Sequence, residues 1–110
     1  MSKIANITLT GTSGQTYKFA VYPFDSKFVP LGVVYYITHR KATKSGKSVH
    51  TSIYVGQSGD ISTCFEDHDQ KYCFRVNGAN SIGLHMDSSE QSRREKVQDL
   101  VNALQPLCNE

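Results

Sequence analysis

Alternation of apolar and polar positions dominates the first part of the chain. Ile4 to Thr10 is rich in Ile, Thr and Leu and alternates in part. Thr16 to Tyr22 alternates again and sets Tyr17, Phe19 and Val21 on one face. Gly11-Thr12-Ser13-Gly14 lies between them as a turn, so the two runs predict a β-hairpin. Pro23, Asp25 and Pro30 punctuate the next connection, with Phe24, Phe28 and Val29 as its anchors. Gly32 to Thr38 is nearly all β-branched or aromatic and predicts the strongest strand. A polar loop follows from His39 to about Ser48, and Thr51 to Gly56 predicts a second strand antiparallel to the first.

Beyond Gly56 the pattern changes. Gly56 followed by Ser58-Gly59-Asp60 reads as a strand end, a tight turn and a helix start, with Ser58 or Asp60 as N-cap. Gly56 would free the backbone to turn or to approach a ligand closely. Helix N–H groups beside Tyr54 would suit a phosphate. Asp60 to about Asp67 predicts a short helix that buries Ile61 and Phe65, with Cys64 and His68 sharing another face. Gln70 to Ala79 reads either as a further helical turn or as a buried crossover, ended by Gly78-Ala79-Asn80. Ser81 to Met86 predicts a third strand. Asp87-Ser88-Ser89-Glu90 has the form of a capping box. The helix it opens should run to about Leu104 with a stripe of Leu100, Val101 and Leu104, stopped by Pro106.

Composition adds bounds. The chain has 110 residues, 38% of them hydrophobic, and a net charge of +2. That suits one domain with one modest core and falls short of a strongly basic nucleic-acid footprint. No apolar run approaches the ~20 residues of a membrane span, so no membrane partner is expected. Three cysteines without a CxxC pair argue against a secreted disulfide framework and for a reducing, cytoplasmic setting. Cys64 and His68 stand at a spacing that can hold zinc, with Cys73, His85 or Cys108 to complete a site, or that can pair a thiol with a base. The simpler reading is a small buried cysteine beside a surface histidine. Arg40, Lys41, Lys44 and Lys47 make the polar loop basic. It reads either as a phosphate-backbone contact or as a solvated hairpin tip.

Val33-Val34-Tyr35 followed by Tyr54-Val55-Gly56 resembles the GIY-YIG nuclease superfamily. The likeness takes in Ser58-Gly59-Asp60-Ile61 and His68, and resumes at Arg93-Arg94, Asp99-Leu100-Val101 and Pro106-Leu107-Cys108-Asn109. It covers residues 32–110 as a core and leaves 1–31 as an added N-terminal hairpin. It implies an α+β, sandwich-like domain with a central three-stranded antiparallel sheet flanked by helices. It also implies phosphodiester hydrolysis on DNA with one divalent cation, usually magnesium. Tyr35 and Tyr54 match the motif tyrosines, His68 a histidine and Asn109 an asparagine of the family pattern. Gly56, Ser58, Arg40, Lys41, Lys44, Lys47, Arg93 and Asn109 are the expected nucleic-acid contacts.

Two departures alter what the resemblance implies. The position of the family arginine is Cys64, and that of the metal-binding glutamate is Val97. A thiol offers no guanidinium fork and an isopropyl group binds no magnesium. Gly32 also stands one residue early, and the turn between the motif strands is long. Glu90 lies about two turns from Val97, ~10 Å along the axis. Arg93 lies one turn away, where it can bind phosphate without cutting, and Glu95 points elsewhere. The expected function is therefore a catalytically impaired domain that binds DNA or a protein partner, without a cofactor. The alternatives are an active, magnesium-dependent endonuclease and a protein-interaction module that binds no nucleic acid.

Overall fold

The computed structural model describes residues 3–63, 65 and 68–109. Five strands form one antiparallel sheet: β1 (Ala5–Thr10), β2 (Thr16–Pro23), β3 (Val33–Ala42), β4 (Ser48–Ser58) and β5 (Ser81–Met86). Two helices accompany them, α1 (Lys71–Val76) and α2 (Glu90–Leu104). The strand order is β1-β2-β5-β3-β4. The first two strands pair from Ala5↔Val21 to Thr10↔Thr16 around a turn in which Gly14 takes φ 88°. That value suits glycine, which has no Cβ to clash.

The expected three-stranded sheet with an appended hairpin is not what forms. β5 pairs with β3 from Val33↔Met86 to Thr38↔Ser81, and with β2 from Ala20↔Leu84 to Pro23↔Ser81. The hairpin is thus fused to the sheet, and the protein is mostly β, a curled half-barrel rather than an α+β sandwich. Sequence periodicity marks strands but not which strand lies beside which, so the fusion was invisible to it.

Other boundaries also move. The short helix expected from Asp60 to Asp67 is replaced by turns at 61–63 and 65; Cys64, Glu66 and Asp67 lie outside the described residues. Asp60 Oδ1 accepts from Ser62 N–H at 2.9 Å and competes with helical pairing. The ambiguous stretch after it holds α1. The polar loop shrinks to a tip at 43–47, because β3 and β4 stay paired out to Ala42↔Ser48. Their register slips between Ile37↔Tyr54 and Thr38↔Ser52, leaving Ile53 as the extra residue of a β-bulge.

Both faces of the sheet are covered. On one, Val33, Tyr35, Ile37, Ile53 and Ile82 pack with Ile61, Phe74 and Cys108. On the other, Tyr17, Phe19, Val34, Tyr36 and Val55 pack with Leu100, joined by Val97, Val101 and Leu104 of α2. Ser89 caps α2 by accepting from Ser92 N–H at 3.2 Å. The helix ends at Gln105, left-handed at φ 46°, before Pro106.

Polar side chains of α2 fix its place. Asp99 accepts from Ser13 N–H, Ser13 Oγ, Thr12 Oγ1 and Tyr17 Oη at 2.7–3.0 Å and ties the helix to the β1–β2 turn. A side chain at Gly11 would collide with that carboxylate. Lys96 Nζ lies 2.8 Å from Asp87 Oδ2 and donates to His85 Nε2 at 2.9 Å. His85 Nδ1–H in turn donates to the Lys18 carbonyl at 3.0 Å. A disulfide joins Cys73 to Cys108 across 35 residues of sequence, with the Cα atoms 6.0 Å apart. This corrects the expectation from the odd cysteine count, and with it the argument for a reducing compartment. It also takes both sulfurs out of any zinc site. No helix among the described residues is long and apolar enough to cross a membrane.

Two consequences are measurable. The Ser13 and Tyr17 hydrogen bonds hold the Asp99 carboxyl well below the usual carboxylate range, and Lys96 does the same for Asp87. Both groups therefore stabilise the fold above the unfolded carboxylate value, and that stability is lost as pH falls through it toward the folded pKa. Urea midpoints should drop below about pH 5, and Asp99→Asn should lower the neutral-pH midpoint while flattening the acid limb. An unchanged acid limb would refute the assignment. Replacing both Cys73 and Cys108 by Ala should cost up to roughly 4 kcal/mol through the entropy of the released loop, read by urea unfolding.

Candidate functional site

The strands bring the two motif tyrosines together. Tyr35 stands opposite Gly56, and Tyr54 stands opposite Ile37 one pleat away. The rings of Tyr35 and Tyr54 stack with centroids 5.9 Å apart. Tyr54 faces this side by its regular register opposite Ile37, and the bulge brings the neighbouring Ile53 onto the same face, so both join the cluster that Tyr35 occupies. Plain alternation would send neighbouring residues to opposite faces.

His68 completes the group. Its ring centroid lies 5.2 Å from Tyr54 and 4.9 Å from Phe74, and its Nε2 is 2.7 Å from Tyr35 Oη. Gln70 N–H donates to His68 Nδ1 at 3.0 Å. A nitrogen that accepts carries no proton, so the neutral ring holds its proton on Nε2 and donates to the Tyr35 oxygen. Burial lowers the His68 pKa, partly offset by the charge of Asp69, which favours that neutral form. In this state His68 donates to the phenol oxygen and is not placed as a base that removes its proton. Tyr35 is only 2% exposed, and Phe65 packs edge-on against it.

Gly56 has a different role from the one its sequence context suggests. It lies inside β4, which continues to Ser58, so no turn follows it. A Cβ there would sit 2.5 Å from Tyr35 Oη and 2.6 Å from Tyr54 Cε2. Glycine is required because the two phenol rings cross over this strand. Ser58 Oγ is used on the backbone of Asp60.

The long helix does not join the tyrosines. Tyr35 and Tyr36 alternate across the sheet, and α2 packs on the Tyr36 side. Val97 belongs to that apolar cluster. The residues present therefore do not fit a magnesium ion at the matched position. Arg93 is 5% exposed and bonds inside the fold: Nε donates to Gln57 Oε1 and Nη1 to the Asp87 carbonyl, each at 2.9 Å. It clamps the end of β4 to the start of α2. Asn109 is likewise structural, because its amide accepts from Val55 N–H at 2.8 Å and donates to Val55 C=O at 2.9 Å. With Cys108 N–H donating to the Ile53 carbonyl, the tail closes the outer edge of β4.

The basic residues are placed differently. β5 stops pairing with β3 at Thr38, so His39–Ala42 and the facing half of β4 leave the sheet as a two-stranded ribbon. Arg40 and Lys41 stand on this ribbon, while Lys44 and Lys47 stand at its tip, the three lysines exposed. His50 lies opposite Arg40, and burial with that neighbouring charge keeps its pKa low. No Asp or Glu occurs between Asp25 and Asp60, so the ribbon is basic without compensation. Sequence reasoning missed Asn80, whose side chain brackets Arg40 by accepting from its N–H at 2.7 Å and donating to its C=O at 3.1 Å. Nothing in the local sequence marks that partner, which is distant along the chain.

Gly56→Ala should destabilise the protein by about 1–3 kcal/mol, since overpacking must displace Tyr35 or Tyr54. Adding Tyr35→Phe should recover part of that loss by removing the nearest atom, and a double-mutant cycle in urea measures it. Strict additivity of the two changes would disprove the contact. Compared with known proteins, the chain matches no family model, no curated protein and no solved structure.

Proposed function

We propose that this chain, whose motif residues resemble those of the GIY-YIG nucleases, binds DNA along the β3–β4 ribbon and does not cut it. The observation that carries the reading is the ribbon itself. It projects Lys41, Lys44 and Lys47 beyond the sheet, with Arg40 half-buried on the ribbon behind them, and no carboxylate on the same stretch. A two-stranded β-ribbon matches the width of a major groove, and lysines at its tip reach phosphates. The non-cutting part of the reading is supported by two features of the site. Its first tyrosine is buried, and the matched metal position is a valine in the opposite cluster.

Fluorescence anisotropy with a labelled DNA duplex across a salt series tests this. Affinity should fall as salt rises, and Lys41→Ala/Lys44→Ala/Lys47→Ala should weaken binding and reduce the log–log slope by about 0.9 for each phosphate that is no longer neutralised. With magnesium or manganese present the duplex should stay intact. Equal binding by the triple variant would refute the ribbon as the DNA-binding surface. Cleavage that disappears in Tyr35→Phe would overturn the non-cutting reading.

A further inference from the structure

Beside the ribbon lies a second feature, which no motif residue contributes to. A cleft of about 620 Å³ is lined by Phe24, Lys71, Tyr72, Phe74, Arg75 and Ala79. Its floor is Phe74, 1% exposed, while Tyr72 on the rim is 69% exposed. Arg75 lies over one face of the Tyr72 ring, with Cζ 5.7 Å from its centroid. An exposed aromatic ring backed by a guanidinium is a platform for a flat π-system, and adjacent cations suit the phosphates that flank a base.

The cleft is continuous with the base of the ribbon. Ala79 lines it, and the residues on either side bond to β3: the Gly78 carbonyl to His39 Nδ1 at 2.9 Å, and Asn80 to Arg40. A DNA strand lying along the ribbon therefore runs beside the Ala79 end of the cleft, which Lys71 and Arg75 also line.

We propose that this cleft takes one unpaired base of a single-stranded DNA segment, stacked on Tyr72 with its flanking phosphates on Lys71 and Arg75. The inference rests on the DNA-binding reading above and adds to it a preference for unpaired strands. A paired base is held in its stack and cannot enter, so the cleft distinguishes frayed, branched or single-stranded DNA from a blunt duplex.

The test compares a labelled oligothymidine with a blunt duplex of equal length, using the full chain. Tyr72→Ala should lower oligothymidine affinity roughly 5- to 150-fold and leave duplex affinity unchanged. Tyr72→Phe should retain binding, because the ring and not the hydroxyl stacks. Arg75→Ala should reduce the single-strand salt slope by about 0.7. The chain has no Trp, so quenching of tyrosine emission by oligothymidine gives an independent readout that should shrink in Tyr72→Ala. Wild-type binding of oligothymidine by Tyr72→Ala would overturn this inference and leave the ribbon reading standing. Binding of neither probe by the wild-type chain would overturn both.

Discussion

The structure depends on one constraint: β3 is paired along both edges and covered on both faces. Every residue from Val33 to Thr38 is buried. A strand in that position must be apolar without interruption, which is why it is the least ambiguous run in the chain. Its two tyrosines carry hydroxyls into the interior, and each needs a partner there. Tyr36 Oη meets Ser52 Oγ at 2.6 Å on one side, and Tyr35 Oη meets His68 on the other. The aromatic and histidine cluster is thus first a solution to burying a phenol.

The same strand generates the exposed surface. β3 continues past the point where β5 ends, and its outer portion with β4 forms the ribbon. Asparagines satisfy open backbone as a neighbouring strand would, Asn80 at Arg40 where β3 runs past β5, and Asn109 at Val55 on the edge strand β4. Each removes a donor and an acceptor that would otherwise be open to edge pairing. The asparagine that the nuclease resemblance marks as a contact is thereby accounted for by the sheet.

The position of α2 separates this protein from the chemistry its motifs suggest. The helix is held on the Tyr36 face by Asp99, Lys96 and Arg93, each engaged with a different part of the sheet or its connections. Cleavage would need a metal ligand from that helix close to the tyrosines. Val97 instead adds apolar area to the cluster under the helix, which favours burial over ion binding. The surfaces proposed for a ligand are the basic ribbon and the aromatic cleft beside it.

The sequence determined the local elements whose period was unbroken. The hairpin, the Val33–Thr38 strand, the strand at Ser81 and the long helix opening near Glu90 are all readable from alternation, propensity and capping, because those signals act between near neighbours. Which residue of Asp87-Ser88-Ser89 caps the helix stays open in the sequence, and the structure gives Ser89. The resemblance to the GIY-YIG motifs, not any period in the chain, is what suggests that Tyr35, Tyr54 and His68 belong to one group. Tertiary structure alone decided the rest. Fusion of the hairpin to β5, the bulge at Ile53, the Cys73–Cys108 bond and the burial of Arg93 join residues far apart in the chain. Such contacts leave no period to read, and their loop-closure cost is offset only once the whole sheet has assembled.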